Sequence, residues 1–173
     1  SAIKGTSTIT DSLAVGGGNT INSNSTLVVG DSNTLTGGTS VILGGEGHNI
    51  NSGYCGMLAG ASNTISNADT TVILGGYQNN AQGMRTYIVA GNLNTVNNGT
   101  DYSGLVGGKS NTIATNITAS AVIGGRSITA DKNETIFIPE LEVDTIGGGI
   151  TMYSPDGTEY KLTVANGGTL VIT

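Results

Sequence analysis

One histidine, His48, and one cysteine, Cys55, are all the imidazole and thiol that this 173-residue chain contains. A Ser-His-Asp or Cys-His site could exist in a single copy only, and a metal bound by His and Cys would need ligands from several chains. His48 stands in a column that other copies of a repeat fill with Asn, so it reads as a polar strip residue and not as a catalyst. Cys55, within Tyr54-Cys55-Gly56-Met57, reads as a small buried thiol, and without a second cysteine it forms no intrachain disulfide. Glu140, Glu142 and Asp144 alternate along one strand face. Paired carboxylates cleave glycosides only at separations of about 5–10 Å, whereas acids on an exposed edge discourage edge-to-edge pairing. Lys109-Ser110 follows two glycines but lacks the spacing of a phosphate-binding loop. Calcium-binding solenoids repeat an Asp in each glycine-rich turn, and only Asp31 follows a strip glycine here. These residues predict no catalytic site, no cofactor and no metal, and the chain is expected not to be an enzyme.

Two further sets of residues could act by contact. Thr20, Thr34, Thr64, Thr95 and Thr112 form a column, and a flat threonine array suits a regular lattice such as ice, although Asn49 and Asn80 interrupt it. Tyr54, Tyr77, Tyr87 and Tyr102 are expected in loops, where an exposed ring suits sugar or protein contact or covers a coil edge. They are the candidate receptor contacts. Asn24, Asn98, Asn116 and Asn133 open N-x-Ser/Thr sequons, as chance alone would produce in so Asn- and Thr-rich a chain.

The elements that must position these residues come from a repeat. Three apolar or small residues precede a glycine eight times, as in Leu13-Ala14-Val15-Gly16, Leu27-Val28-Val29-Gly30 and Val41-Ile42-Leu43-Gly44, with the glycines 14, 14, 16, 15, 16, 16 and 17 residues apart. A second strip follows each glycine, as in Asn19-Thr20-Ile21, Asn33-Thr34-Leu35 and Asn63-Thr64-Ile65, ending in a worn copy at Arg126-Ser127-Ile128. A period near 15 is too short for helix pairs but fits a coil of two short strands joined by turns. The β-branched content of the first strip favours strand, and glycine after it supplies the positive φ of a sharp corner. Eight coils stacked at about 4.8 Å per rung span roughly 40 Å.

Successive strand residues point to opposite faces. The second strip alternates apolar and polar, so it buries one face and wets the other. The first strip is apolar throughout, which implies burial on both faces. A thin coil covers one of them, and monomers rarely leave a continuous apolar stripe exposed. The middle residues Ala14, Val28, Ile42, Leu58, Ile73, Val89, Leu105 and Val122 are therefore expected to face a sister chain; the alternative is a wider single-chain β-helix in which both strips line one lumen, which alternation within the strip disfavours.

This pattern resembles the head repeats of trimeric autotransporter adhesins, the YadA-like left-handed β-roll. Val41-Ile42-Leu43-Gly44 and Leu27-Val28-Val29-Gly30 look like that family's valine-alanine-isoleucine-glycine strip, and the likeness covers about residues 13–130. It implies a homotrimer with one sheet of each roll facing a threefold axis. Family heads usually carry Ser or Ala where this chain has Asn33, Asn63 and Asn111, and within these 173 residues no pattern of a coiled-coil stalk or membrane-anchor barrel is expected. Similar repeats occur in phage tail-fibre proteins, which need no anchor.

Composition agrees with a repetitive β protein. Only 10% of residues are charged, against about 25% in typical chains, and Phe137 is the lone Phe, with no Trp to build a bulky core. The net charge of −6 is concentrated in residues 131–173, at −5. An acidic chain without a basic stripe argues against nucleic acid and against anionic membrane surfaces, and no apolar run approaches the ~18 residues of a membrane span. After Ala130 the period breaks. Ile150 to Tyr153, a Ser154-Pro155-Asp156-Gly157 turn, Tyr160 to Val164, an Asn166-Gly167-Gly168 turn and Leu170 to Ile172 read as a small meander. The expectation is thus an all-β chain: a β-solenoid of about eight coils over 1–130, a connector over 131–149 with a Gly147-Gly148-Gly149 joint, and a β-meander over 150–173. In function it is expected to be a homotrimeric fibre or head segment on a virion or outside the cell, binding a cell-surface glycan or protein. A bacterial adhesin head is the alternative, and an ice-binding solenoid a third reading.

Overall fold

The computed structural model describes residues 12–23, 26–140, 150–164 and 170–172. They form two compact units divided after Pro139. In the first unit each coil of chain gives one short strand to each of two parallel sheets. Sheet A stacks nine strands in chain order, from Leu13–Val15 to Ile136–Phe137, and sheet B stacks eight, from Thr20–Ile21 to Thr129–Ala130. Each residue pairs with its equivalent one coil away: Ala14 with Val28, Val28 with Ile42, Thr34 with Asn49.

The strands are short because the chain turns at both ends of each. At the corner after sheet A, Ser32, Ser62, Gln78, Leu93, Ser110 and Ser127 hold φ between 49° and 60°, a left-handed conformation that non-glycine residues seldom adopt. The glycines just before that corner are required by contact. A Cβ on Gly30, Gly45, Gly60 or Gly76 would come within 2.1–2.3 Å of a glycine carbonyl oxygen in the next coil.

The core is two side chains wide. Each of the first eight sheet A strands sends one residue inward: Ala14, Val28, Ile42, Met57, Ile73, Ile88, Leu105 and Val122, all at most 3% exposed. Sheet B answers with Leu35, Ile50, Ile65, Ala81, Val96, Ile113 and Ala130, each 0% exposed. Burying an aliphatic side chain of this size is worth about 1.5–3 kcal/mol, and here that gain is made within one chain.

This corrects the assignment of faces. Six of the residues expected to meet a sister chain, Ala14, Val28, Ile42, Ile73, Leu105 and Val122, are enclosed by their own chain. A three-residue strand that places its middle inward must place both flanks outward. The other two, Leu58 and Val89, do point outward, because the triplets there are offset by one place. Sheet pairing aligns Ile42 with Met57 and Ile88 with Leu105. The glycines after these two triplets, Gly60 and Gly91, match the second glycine of Gly44-Gly45 and Gly75-Gly76, as the corner hydrogen bonds show.

The parallel stack also runs past the boundary expected at residue 130. Ile136–Phe137 pairs with Ala121–Val122 as a ninth rung, Phe137 packs against the core, and Glu134 takes a left-handed corner conformation, φ 53°.

The second unit is an antiparallel sheet of Ile150–Tyr153, Glu159–Val164 and Leu170–Ile172. Its first turn falls where the Ser-Pro-Asp-Gly signature placed it: the Gly157 N–H donates to the Ser154 carbonyl at 2.9 Å. The Asp156 carboxylate accepts from the Ser154 hydroxyl and from the Thr158 N–H, and these bonds lower its pKa to about 2. Glu142, Asp144, the Gly147-Gly149 joint and the Asn166-Gly168 turn lie outside the described residues.

Candidate interaction surface

The flanking positions of the sheet A strands build an apolar surface. The column at the strand starts reads Leu13, Leu27, Val41, Gly56, Val72, Tyr87, Gly104, Ala121 and Ile136, and the column at the strand ends reads Val15, Val29, Leu43, Leu58, Leu74, Val89, Val106, Ile123 and Ile138. No charged side chain interrupts either column. Leu13, Val15, Leu43, Leu58, Leu74 and Ile123 are each 41–47% exposed. The sheet is thus apolar on both faces, as the triplets required, with the inner and outer roles exchanged.

Behind this surface two buried polar columns hold the coils in register. Asn19, Asn33, His48, Asn63, Asn79, Asn94 and Asn111 are at most 6% exposed. The sequence pattern suggested a wetted strip, but only the threonines beside these asparagines turn outward. Each asparagine Oδ1 accepts the backbone N–H of the next rung: Asn63 from Asn79 at 2.9 Å, Asn79 from Asn94 at 3.0 Å, Asn94 from Asn111 at 3.0 Å. The amide nitrogen donates to glycine carbonyls, as Asn79 Nδ2 does to Gly91 at 3.0 Å and Gly75 at 3.2 Å. Every such bond satisfies a backbone group at the corner. The clue in the sequence was that this position stays Asn from copy to copy while its neighbours drift.

His48 is a weak rung of that column. Its Nδ1 accepts the Asn63 N–H at 3.2 Å, which fixes the neutral ring with the proton on Nε2. Nε2 is buried without a hydrogen-bond partner. Burial lowers the His48 pKa from its usual 6.5, opposed in part by the nearby Gly44 carbonyl. The unfolded chain therefore takes up a proton at a pH where the folded chain does not. Stability is full above about pH 6.5 and falls as the pH drops toward the lowered value. Replacing His48 with Asn should remove this slope and, by replacing an unpartnered N–H with the amide that other rungs donate to glycine carbonyls, stabilise the fold by about 1–2 kcal/mol. Urea midpoints at pH 7.5 and 5.5 test both effects.

At the opposite corner a hydroxyl column does similar work. Ser40 Oγ accepts the Cys55 N–H at 3.0 Å, Thr71 Oγ1 donates to the Gly83 carbonyl at 2.8 Å, and Ser120 Oγ accepts the Thr135 N–H at 3.2 Å. Cys55 occupies one rung, 4% exposed, its thiol donating to the Gly53 carbonyl at 3.1 Å. Burial first, and the Asp69 charge besides, raise the thiol pKa, so Cys55 remains a protonated structural residue.

The outer face of sheet B is polar and uncharged across most of its length. One column is Thr20, Thr34, Asn49, Thr64, Asn80, Thr95, Thr112 and Thr129, and beside it run Asn22, Thr36, Asn51, Ser66, Gln82 and Asn97. Thr36 Oγ1 donates to Asn51 Oδ1 across one rung at 3.0 Å.

The four tyrosines do not converge. Tyr54 and Tyr102, 69% and 62% exposed, stand at left-handed corner positions before sheet A, φ 54° and 49°. Tyr77 lies at the other corner, in a bridge ladder that runs Asp31, Glu46, Ala61, Tyr77, Asn92, Lys109, Arg126. Tyr87 is not in a loop: it is in a strand on the outer face of sheet A, where its ring fills the place a Cβ on Gly104 would take. Arg85 lies 4.4 Å from the Tyr102 ring centre and forms an ion pair with Asp101. Among the described residues no group of three His, Cys, Asp or Glu side chains could hold a metal ion, and no helix is long and apolar enough to cross a membrane.

Compared with protein-family models, with curated proteins and with solved structures, the chain finds no match.

Proposed function

We propose that this chain is a non-enzymatic structural and attachment protein that works as a homotrimer, with the outer face of sheet A turned toward a common axis. The observation that carries the reading is the surface on that face, free of charged side chains and aliphatic along the whole of its strand-end column. Its nine rungs at about 4.8 Å each make it nearly 40 Å long, and a stripe of that extent is rarely left open to water. Three copies related by a cyclic axis cover all three stripes at once. The corners, sheet B and the exposed rings of Tyr54 and Tyr102 then form the outside of a stiff segment. That segment serves as part of a fibre or head on a virion or outside a cell, where the outer surface meets a cell-surface glycan or protein. The resemblance of residues 13–130 to trimeric adhesin heads and phage tail fibres supports the same arrangement.

Native mass spectrometry at micromolar concentration should give three times the 17.3 kDa chain mass. A single-chain mass throughout would reject the reading. The uncharged Thr/Asn columns of sheet B favour a second reading, adsorption to a regular lattice such as ice, and thermal hysteresis measured on the purified protein decides it.

A further inference from the structure

The corner after sheet A carries its charges in an order. In the bridge ladder there, each residue lies beside its equivalent on the next coil. The ladder begins with Asp31 and Glu46, passes Tyr77 at its middle and ends with Lys109 and Arg126. The four charged side chains are exposed, and Tyr77 is 46% exposed. None of the four belongs to an ion pair among the described residues, where Arg85 and Asp101 form theirs at the opposite corner. Asp31 Oδ1 accepts the Gly17 N–H at 2.7 Å, a bond that leaves the carboxylate charged. The residue after each ladder position, from Ser32 to Ser127, carries no charge.

Within one chain this order is unfavourable. It sets Asp31 beside Glu46 and Lys109 beside Arg126 on adjacent rungs about 4.8 Å apart, and like charges on neighbouring strands repel. Turned end over end, however, the ladder complements itself. A second copy running antiparallel, with a twofold axis at the Tyr77 rung, sets Asp31 against Arg126 and Glu46 against Lys109. A twofold contact makes each pair twice, four in all. A slip of one rung keeps only Glu46 with Arg126, or only Asp31 with Lys109. A level parallel neighbour meets like with like, and a parallel neighbour displaced by five rungs forms two pairs instead of four.

We propose that this corner is a lateral contact between two copies of the chain, antiparallel about a twofold axis at Tyr77. The contact does not use the outer face of sheet A. In the trimer reading the corner lies on the outside, so the contact joins one segment to another side by side. A strip one ladder wide and roughly 29 Å long is too narrow for a tight dimer. Its ion pairs are exposed, so the contact is weak and sensitive to salt.

Sedimentation equilibrium of the full chain at two salt concentrations reads the contact. In about 20 mM salt the protein should associate beyond its high-salt mass, and about 0.5 M salt should weaken that step by about tenfold or more. Glu46→Lys sets lysine against Lys109 on both sides of the axis, and Lys109→Glu sets glutamate against Glu46. Each alone should weaken the low-salt step by about tenfold or more. The two together restore opposite charges and should recover it to within about threefold of the parent. Neither should lower the melting temperature in high salt, because each removes a like-charge neighbour within its own chain. A parent without the low-salt step overturns the proposal, as do single reversals that associate like the parent or a double variant that stays dissociated. If Lys109→Glu alone weakens the step while Glu46→Lys does not, the bases meet a different acidic surface and the proposal fails. The step is counted above whatever mass the protein has in high salt, so a chain that is monomeric there refutes the trimer and leaves this contact to be judged on its own.

Discussion

Leu43→Asp combined with Leu74→Asp should turn the protein into folded monomers. Both side chains lie in the end column of sheet A, 47% and 41% exposed, so in the single chain each substitution exchanges a partly wetted leucine for a wetted carboxylate. In the assembly each would be an unpaired charge in an apolar interface, a cost of several kcal/mol. Even about 4 kcal/mol raises the dissociation constant on the order of a thousandfold. The far-ultraviolet circular dichroism should keep its β signature while the native mass falls to that of one chain. Thr34→Asp with Thr95→Asp, on the outer face of sheet B, should leave the mass unchanged. Ile42→Asp should behave unlike either pair, since Ile42 is 0% exposed within its own chain: it should unfold the protein rather than dissociate it. If the Leu43/Leu74 variant keeps the parent's mass, the aliphatic face is not the contact surface.

The second large effect is expected at Asn79. Its Oδ1 takes the Asn94 N–H at 3.0 Å, and its amide serves the Gly75 and Gly91 carbonyls at 3.2 and 3.0 Å. Asn79→Ala removes one side chain and strands two partners on the following rung and one in its own coil. A buried donor left without an acceptor costs about 1–3 kcal/mol, so a total near 3 kcal/mol is expected. Thr95→Ala, one residue from Asn94 but pointing outward, should stay within about 0.5 kcal/mol of the parent. Denaturant unfolding at one fixed protein concentration, needed because assembly shifts apparent stability, should separate the two clearly. Equal losses would mean that the asparagine column does not hold the coils in register.

The two-strand coil was legible in the sequence because its signals are local. Leu27-Val28-Val29 before Gly30 and Asn33-Thr34-Leu35 after it state a strand, a corner and a second strand, and the same grammar returns in each copy. The choice of face was not legible. In Val41-Ile42-Leu43 either the middle or the two flanks can point inward, and an all-apolar triplet satisfies both. The number of side chains the interior admits decides between them, and that is a property of the closed coil. Leu58 and Val89 were misplaced relative to their strands for a related reason. Counting back from Gly60 and Gly91 assumes one glycine per corner, while Gly44-Gly45 and Gly75-Gly76 supply two. The asparagines were misread because an Asn beside a turn looks the same whether it bonds to water or to a neighbouring coil.

The asparagine column ends at Ile128, whose backbone N–H donates to Asn111 Oδ1 at 3.0 Å but whose side chain offers no oxygen to a further rung. Until that point every rung except that of His48 gives and receives the same kind of bonds, so the asparagines do not record how many have gone before. Length in such a molecule is an adjustable quantity. Whole coils can be gained or lost by duplication or deletion without redesigning a neighbour, and a lineage can vary the reach of the segment while leaving its chemistry untouched.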